Sequence, residues 1–164
     1  MFGLSRNRFR DRFAGILEKL VLVLVVALAT VVIMGVFFRK IGIALVWYDE
    51  VASILLAWLT FYGSVLAALR QEHIGFSKIL DGVGQTARRC LIVFGKTAVI
   101  GFFVLVAWSG WTVFGVLGGE TLVSLPWMPQ RLTQSVIPIG AVLFIVAELT
   151  VLPDLWHDRD REEV

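Results

Sequence analysis

The chain has 164 residues, 58% of them apolar and only 17% charged, with a net charge of +2 and a mean hydropathy of +0.84. A soluble domain is roughly 45–50% apolar and needs polar residues to cover its core, and long stretches here have none. The small net charge gives no footing for a nucleic-acid partner, and a single cysteine, Cys90, excludes an internal disulfide or a paired thiol site.

Four apolar runs follow one another along the chain. The first, Leu20 to Phe38, is uncharged and long enough for a hydrocarbon core of about 30 Å at 1.5 Å per residue. Arg6, Arg8, Arg10 and Arg12 precede it as they would a signal peptide. The run is too long for that, and Phe37-Phe38-Arg39-Lys40 offers no small-residue cleavage site. The second run carries Asp49 and Glu50 near its start, the third Lys96 near its beginning, and the fourth Glu148 near its end. Each of these charges is expected to reach headgroups or water. The predicted fold is all-α, one membrane domain over 1–164 with spans near 20–38, 46–69, 92–117 and 135–152. Loops fall at 39–45, 70–91 and 118–134.

Outside the spans, Phe9, Phe13, Ile16, Leu17 and Leu20 keep helical spacing with arginines between them, which predicts an amphipathic interfacial helix entering span one. Ile79, Leu80, Val83, Ala87 and Leu91 repeat the pattern before span three, interrupted by Gly82 and Gly84. Gly118-Gly119, Pro126 and Pro129 predict an irregular loop along the membrane surface.

Four spans put both termini and the central loop on one side. That side holds Arg6, Arg8, Arg10, Arg12, Lys19, Arg70, Lys78, Arg88, Arg89, Lys96, Arg159 and Arg161, against Arg39, Lys40 and Arg131 opposite. The asymmetry predicts cytoplasmic termini.

Enzyme chemistry finds little support. The only histidines are His73 and His157, both outside the predicted spans, so neither a nucleophile–base pair nor bis-histidine haem ligation is expected, and no cofactor or metal is predicted. The middle of each span holds no ionisable residue, so the chain lacks a polar pathway of its own. Asp49 and Glu50 suit the positive end of a helix dipole, worth about 0.3–1 kcal/mol each. Glu50 is equally well placed to pair with Arg39 or with a partner protein. Trp47, Trp127 and Trp156 fall at predicted interfaces. Trp58, Trp108 and Trp111 lie deeper, facing lipid or a protein surface, with lipid the simpler expectation. Gly63, Ser64, Ala67 and Ala68 form small-xxx-small pairs that permit close helix approach. Pro138 stands near the start of span four, where its missing N–H costs little.

Arg39, Trp47-Tyr48-Asp49-Glu50, Trp58, Phe61-Tyr62-Gly63, Arg70 and His73-Ile74 follow an order that resembles the small membrane subunit of tripartite ATP-independent periplasmic (TRAP) transporters. Ser124-Leu125-Pro126-Trp127 and Ile137-Pro138-Ile139-Gly140 continue it, so the resemblance covers about residues 15 to 153. Gly75-Phe76-Ser77 departs from it, since the family often carries an acidic residue there. The resemblance implies a non-catalytic scaffold beside a large permease subunit, working with a periplasmic substrate-binding protein in sodium-driven uptake of an organic acid such as a carboxylate. Two other classes remain open at this point: the membrane anchor of a redox complex, and a small stand-alone transporter acting as an oligomer.

Overall fold

The computed structural model describes residues 2–70 and 85–157. Within them the chain forms α1 (Phe2–Lys40), α2 (Tyr48–Arg70), α3 (Gln85–Val116), the one-turn α4 (Gln130–Gln134) and α5 (Val136–His157). Four stretches are long and apolar enough to cross a membrane: Arg10–Lys40, Tyr48–Arg70, Val93–Val116 and Gln130–Val151. Among the described residues there is no strand, only an isolated antiparallel bridge between Thr121 and Pro129.

The boundaries follow from local chemistry. α1 ends in a Schellman motif, with Ile43 N–H bonded to the Phe38 carbonyl and Gly42 N–H to that of Arg39. Gly42 takes the required left-handed conformation at φ +82°. Between α4 and α5 the break falls at Ser135. Pro138 has no N–H to give the Gln134 carbonyl, and its ring crowds that carbonyl, so the helix restarts there.

The long helices lie in a row rather than a closed bundle. α1 packs on α2, α2 on α5, and α5 on α3, leaving α1 and α3 as the two flanks. The core of the row is Leu17, Val65, Ala68, Leu69, Phe144 and Ala147, joined by Phe13, Leu20, Tyr62 and Phe103. Small residues set the helix spacing, as expected where lipid removes any hydrophobic preference for protein over solvent. Gly35 faces the Tyr48 ring, Gly110 faces Ile137 and Pro138, and Gly140 lies under Phe61. Gly63 is not among these positions. A Cβ there would meet nothing within 4 Å, although Ala68 is buried as its spacing suggests.

The N-terminal segment is helical, as its spacing suggests. It runs into α1 without a break, and Phe13, Ala14, Leu17 and Leu20 pack against the core formed with α2 and α5. Ile16 is exposed. The apolar stripe is thus largely occupied within the chain, and at 39 residues α1 is about 58 Å long, well beyond the hydrocarbon thickness. Of the second amphipathic segment, residues 79–84 lie outside the described residues and the remainder opens α3.

Close approach makes two glycines unequal. A Cβ on Gly140 would sit 2.8 Å from Phe61 Cβ, so Gly140→Ala is expected to destabilise the fold by about 1–3 kcal/mol through overpacking. Gly63→Ala is expected to be neutral or slightly stabilising. Thermal unfolding of the two purified variants in detergent distinguishes them, and equal melting temperatures would contradict the α2–α5 packing.

Candidate functional site

The end of the row where α1 begins and α5 ends is held by ion pairs between helices. Arg70 at the end of α2 bonds Glu18 of α1, with both side chains near half exposed. Lys96 of α3 bonds Glu148 of α5, with Glu148 only 2% exposed and Lys96 25%. This second pair corrects the expectation that each charge reaches headgroups or water independently. Both residues lie inside membrane-crossing stretches, and both helices continue past them, α3 back to Gln85 and α5 on to His157. A carboxylate this deep needs a cation beside it, and removing one partner of such a pair costs about 3–5 kcal/mol. Close by, the rings of Phe103 and Phe144 stack at 3.7 Å and 10° between the same two helices.

At the opposite end the loop between α3 and α4 is more ordered than an irregular chain. Glu120 accepts from Gln130 N–H, Met128 accepts from Leu122 N–H, and Leu125 accepts from Met128 N–H. This closes a small hairpin around a turn with Pro126 at its second position, a site proline favours. Glu50 fastens the hairpin to α2. Its carboxylate accepts Ser124 Oγ–H at 2.6 Å, Ser124 N–H at 2.9 Å and Val123 N–H at 3.2 Å. Val123 and Trp127 point outward and are strongly exposed.

Arg39 therefore does not pair with Glu50. Its guanidinium bonds the Tyr48 hydroxyl and lies 5.4 Å from that ring's centroid, while Asp49 acts on the same hydroxyl. Helix geometry explains the choice. Gly35 and Arg39 share one face of α1, so the Tyr48 ring settles over the glycine and beneath the arginine. Glu50 is two residues further along α2, about 200° around its axis, and faces the hairpin instead.

Other expected residues fall into place individually. Trp58 does not simply face lipid: it is half-buried, its indole N–H donates to the Thr133 carbonyl at 3.0 Å, and its ring meets Tyr62 edge-on. Trp108 and Trp111 are more than 70% exposed, as a lipid-facing reading requires. Trp47 is half-buried, Pro138 is buried against Gly110, and Pro126 is exposed at its turn. Arg131 bonds the Leu117 carbonyl at 2.6 Å and covers Phe114, tying α4 to the end of α3. His73 and the side chain of Trp156 lie outside the described residues.

The contacts that sequence does not reveal, those of Glu18, Tyr48, Ser124 and the Lys96–Glu148 pair, all join separate segments of the chain. One signal was available: the charges inside the third and fourth runs, Lys96 and Glu148, have opposite signs. Asp49, Glu50, Gln130 and Gln134 line an open groove between α2, the hairpin and α4, whose wall is otherwise mostly apolar, with Ile54, Leu122 and Ile137. Among the described residues no cluster of His, Cys, Asp or Glu has the makings of a metal site, and Cys90 is exposed.

Fold and site together describe a polytopic helical membrane protein whose polar side chains serve mainly to join helices and fasten a loop. The sequence profile for "Tripartite ATP-independent periplasmic transporters, DctQ component" matches residues 28–157, and the chain belongs to this family, the small permease component of TRAP transporters. Comparison with curated proteins gives no match.

The separate fates of Arg39 and Glu50 have a measurable consequence. Arg39→Gln and Glu50→Gln are expected to act additively on assembled yield, whereas Arg39→Gln and Tyr48→Phe, which share a contact, are not. Amide exchange at Val123 and Ser124 is expected to quicken several-fold in Glu50→Gln and to be unchanged in Arg39→Gln. Coupling between Arg39 and Glu50 in a double-mutant cycle would contradict this geometry.

Proposed function

We propose that the chain is a non-catalytic scaffold of a TRAP transporter, packed beside the large permease subunit in a bacterial inner membrane. The complex then takes up an organic acid such as a carboxylate, delivered by a periplasmic binding protein and driven by a sodium gradient. Membership of a transporter family favours this over a redox anchor. The observation that carries the reading is how the polar groups of the crossing stretches are used. Lys96 and Glu148 neutralise each other, and Trp58 bonds Thr133. The hydroxyls of Thr30, Ser53, Thr60, Ser64, Thr112 and Thr150 return to carbonyls of their own helices. A solute pathway needs groups left available to the solute. These groups are committed to structure, so the pathway belongs to the larger partner.

The row architecture supports the same reading. Both flanks present wide apolar faces, including Leu22, Val23, Ile33 and Phe37 on α1, and Phe94, Leu105, Trp108 and Trp111 on α3. Lipid or a second membrane subunit can cover these faces.

Polar substitutions in this chain are expected to lower uptake in proportion to the amount of assembled complex. Glu148→Gln should reduce both, while the substrate concentration giving half-maximal uptake stays unchanged. A variant that shifts substrate selectivity with complex abundance intact would overturn the scaffold role. The basic asymmetry between the two sides supports cytoplasmic termini. Reporter fusions should then show cytoplasmic activity at Val164 and periplasmic activity at Glu120, and the reverse pattern would invert the topology.

A further inference from the structure

At the end of the row where α1 begins and α5 ends, each long helix contributes one side chain to an ion pair between helices, beside further charges such as Lys19 on α1. In spatial order the paired side chains are Glu18 on α1, Arg70 on α2, Glu148 on α5 and Lys96 on α3, so the signs alternate across the row. The first two form one ion pair and the last two another. The two pairs are in register with each other. Leu17, Leu69 and Ala147 belong to a single core cluster, and Glu18, Arg70 and Glu148 each follow one of them in sequence.

We propose that this alternating belt is a sorting device that excludes like-charged helix neighbours, leaving close packing to choose among the orders that remain. Lipid tails are as apolar as leucine, so apolar faces alone discriminate poorly among helix partners in a membrane. Charge can discriminate, because a buried charge beside its like is far more costly than one beside its opposite. Placing α3 on α2 sets Lys96 beside Arg70, and placing α1 on α5 sets Glu18 beside Glu148. Both misorderings join like charges. The one remaining unlike combination, α1 with α3, is left open by charge, and the orders that would use it are excluded by the short α1–α2 connection, the approach of Gly140 to Phe61 and the approach of Gly110 to Pro138. The chain order α1, α2, α3, α5 differs from the spatial order, so the connecting segments alone do not dictate the arrangement. The belt acts within this chain and holds whatever the transported solute.

The test uses the full-length chain in native membranes, with Cys90→Ser and a reporter pair, Phe103→Cys and Phe144→Cys, across the stacked rings that join α3 to α5. Disulfide formation is read against total chain in the membrane. Lys96→Glu is expected to lower cross-linking several-fold. Adding Glu148→Lys restores unlike charges between α3 and α5 but sets a lysine on α5 next to Arg70 of α2, so cross-linking should recover only in part. Exchanging the other pair as well, with Glu18→Lys and Arg70→Glu, restores the alternation and should recover it fully. Adding Glu18→Lys to Lys96→Glu restores the net charge but not the neighbour relation, and should leave cross-linking low. The proposal is overturned if Lys96→Glu alone cross-links as well as the parent, if exchanging both pairs fails to rescue it, or if Glu18→Lys added to Lys96→Glu rescues it equally.

Discussion

Glu148 sets the terms for the rest of the fold. A carboxylate 2% exposed within a membrane-crossing stretch must have a cation at hand, and Lys96 on a neighbouring helix supplies it. That pairing brings α3 against α5, where the Phe103–Phe144 stack and the close approach at Gly110 complete the contact. α5 in turn packs on α2 through Gly140 and Phe61, and the core around Val65 and Leu69 draws in α1. The same constraint, that polar groups in hydrocarbon be satisfied within the protein, governs the smaller contacts. Trp58 reaches the carbonyl of Thr133, and side-chain hydroxyls fold back on their own helices.

The opposite end obeys a different logic, because water and headgroups are within reach there. Glu50 is needed less to neutralise charge than to hold a loop. Three donors from Val123 and Ser124 converge on it and set the hairpin against α2. The outward-facing residues of that hairpin, Val123 and Trp127, are thereby displayed on a fixed support rather than on a free loop. For a subunit of a larger transporter, this divides the molecule into an inner brace between helices and an outer, ordered face.

What the sequence made legible was whatever depends on one segment at a time. Long apolar runs located the four crossing helices, a proline after Ser135 marked a helix start, and Gly118-Gly119 marked a loop. Contacts between segments were much less legible. Arg39 and Glu50 stand close in sequence and carry opposite charge, yet the angular offset between Tyr48 and Glu50 sends them to different partners. Gly63 has the spacing of a helix contact but faces open space, while Gly35, Gly110 and Gly140, without such a motif, make the close approaches. The amphipathic stripe from Phe13 to Leu20 suits a lipid surface and a protein surface alike, and only the packing of α2 and α5 decides between them. Lys96 and Glu148 were read as two end-of-helix charges because nothing local links positions 52 residues apart.

The central claim is that this chain braces a transporter without forming its pathway. Reconstitution in liposomes tests it most directly, with the large permease subunit, the binding protein and a sodium gradient supplied, and this chain present or omitted. The account predicts that uptake needs the chain, that the chain alone moves no solute, and that Glu148→Gln lowers uptake only as far as it lowers assembled complex. Uptake by the chain alone, or full uptake by the large subunit and binding protein without it, would contradict the account.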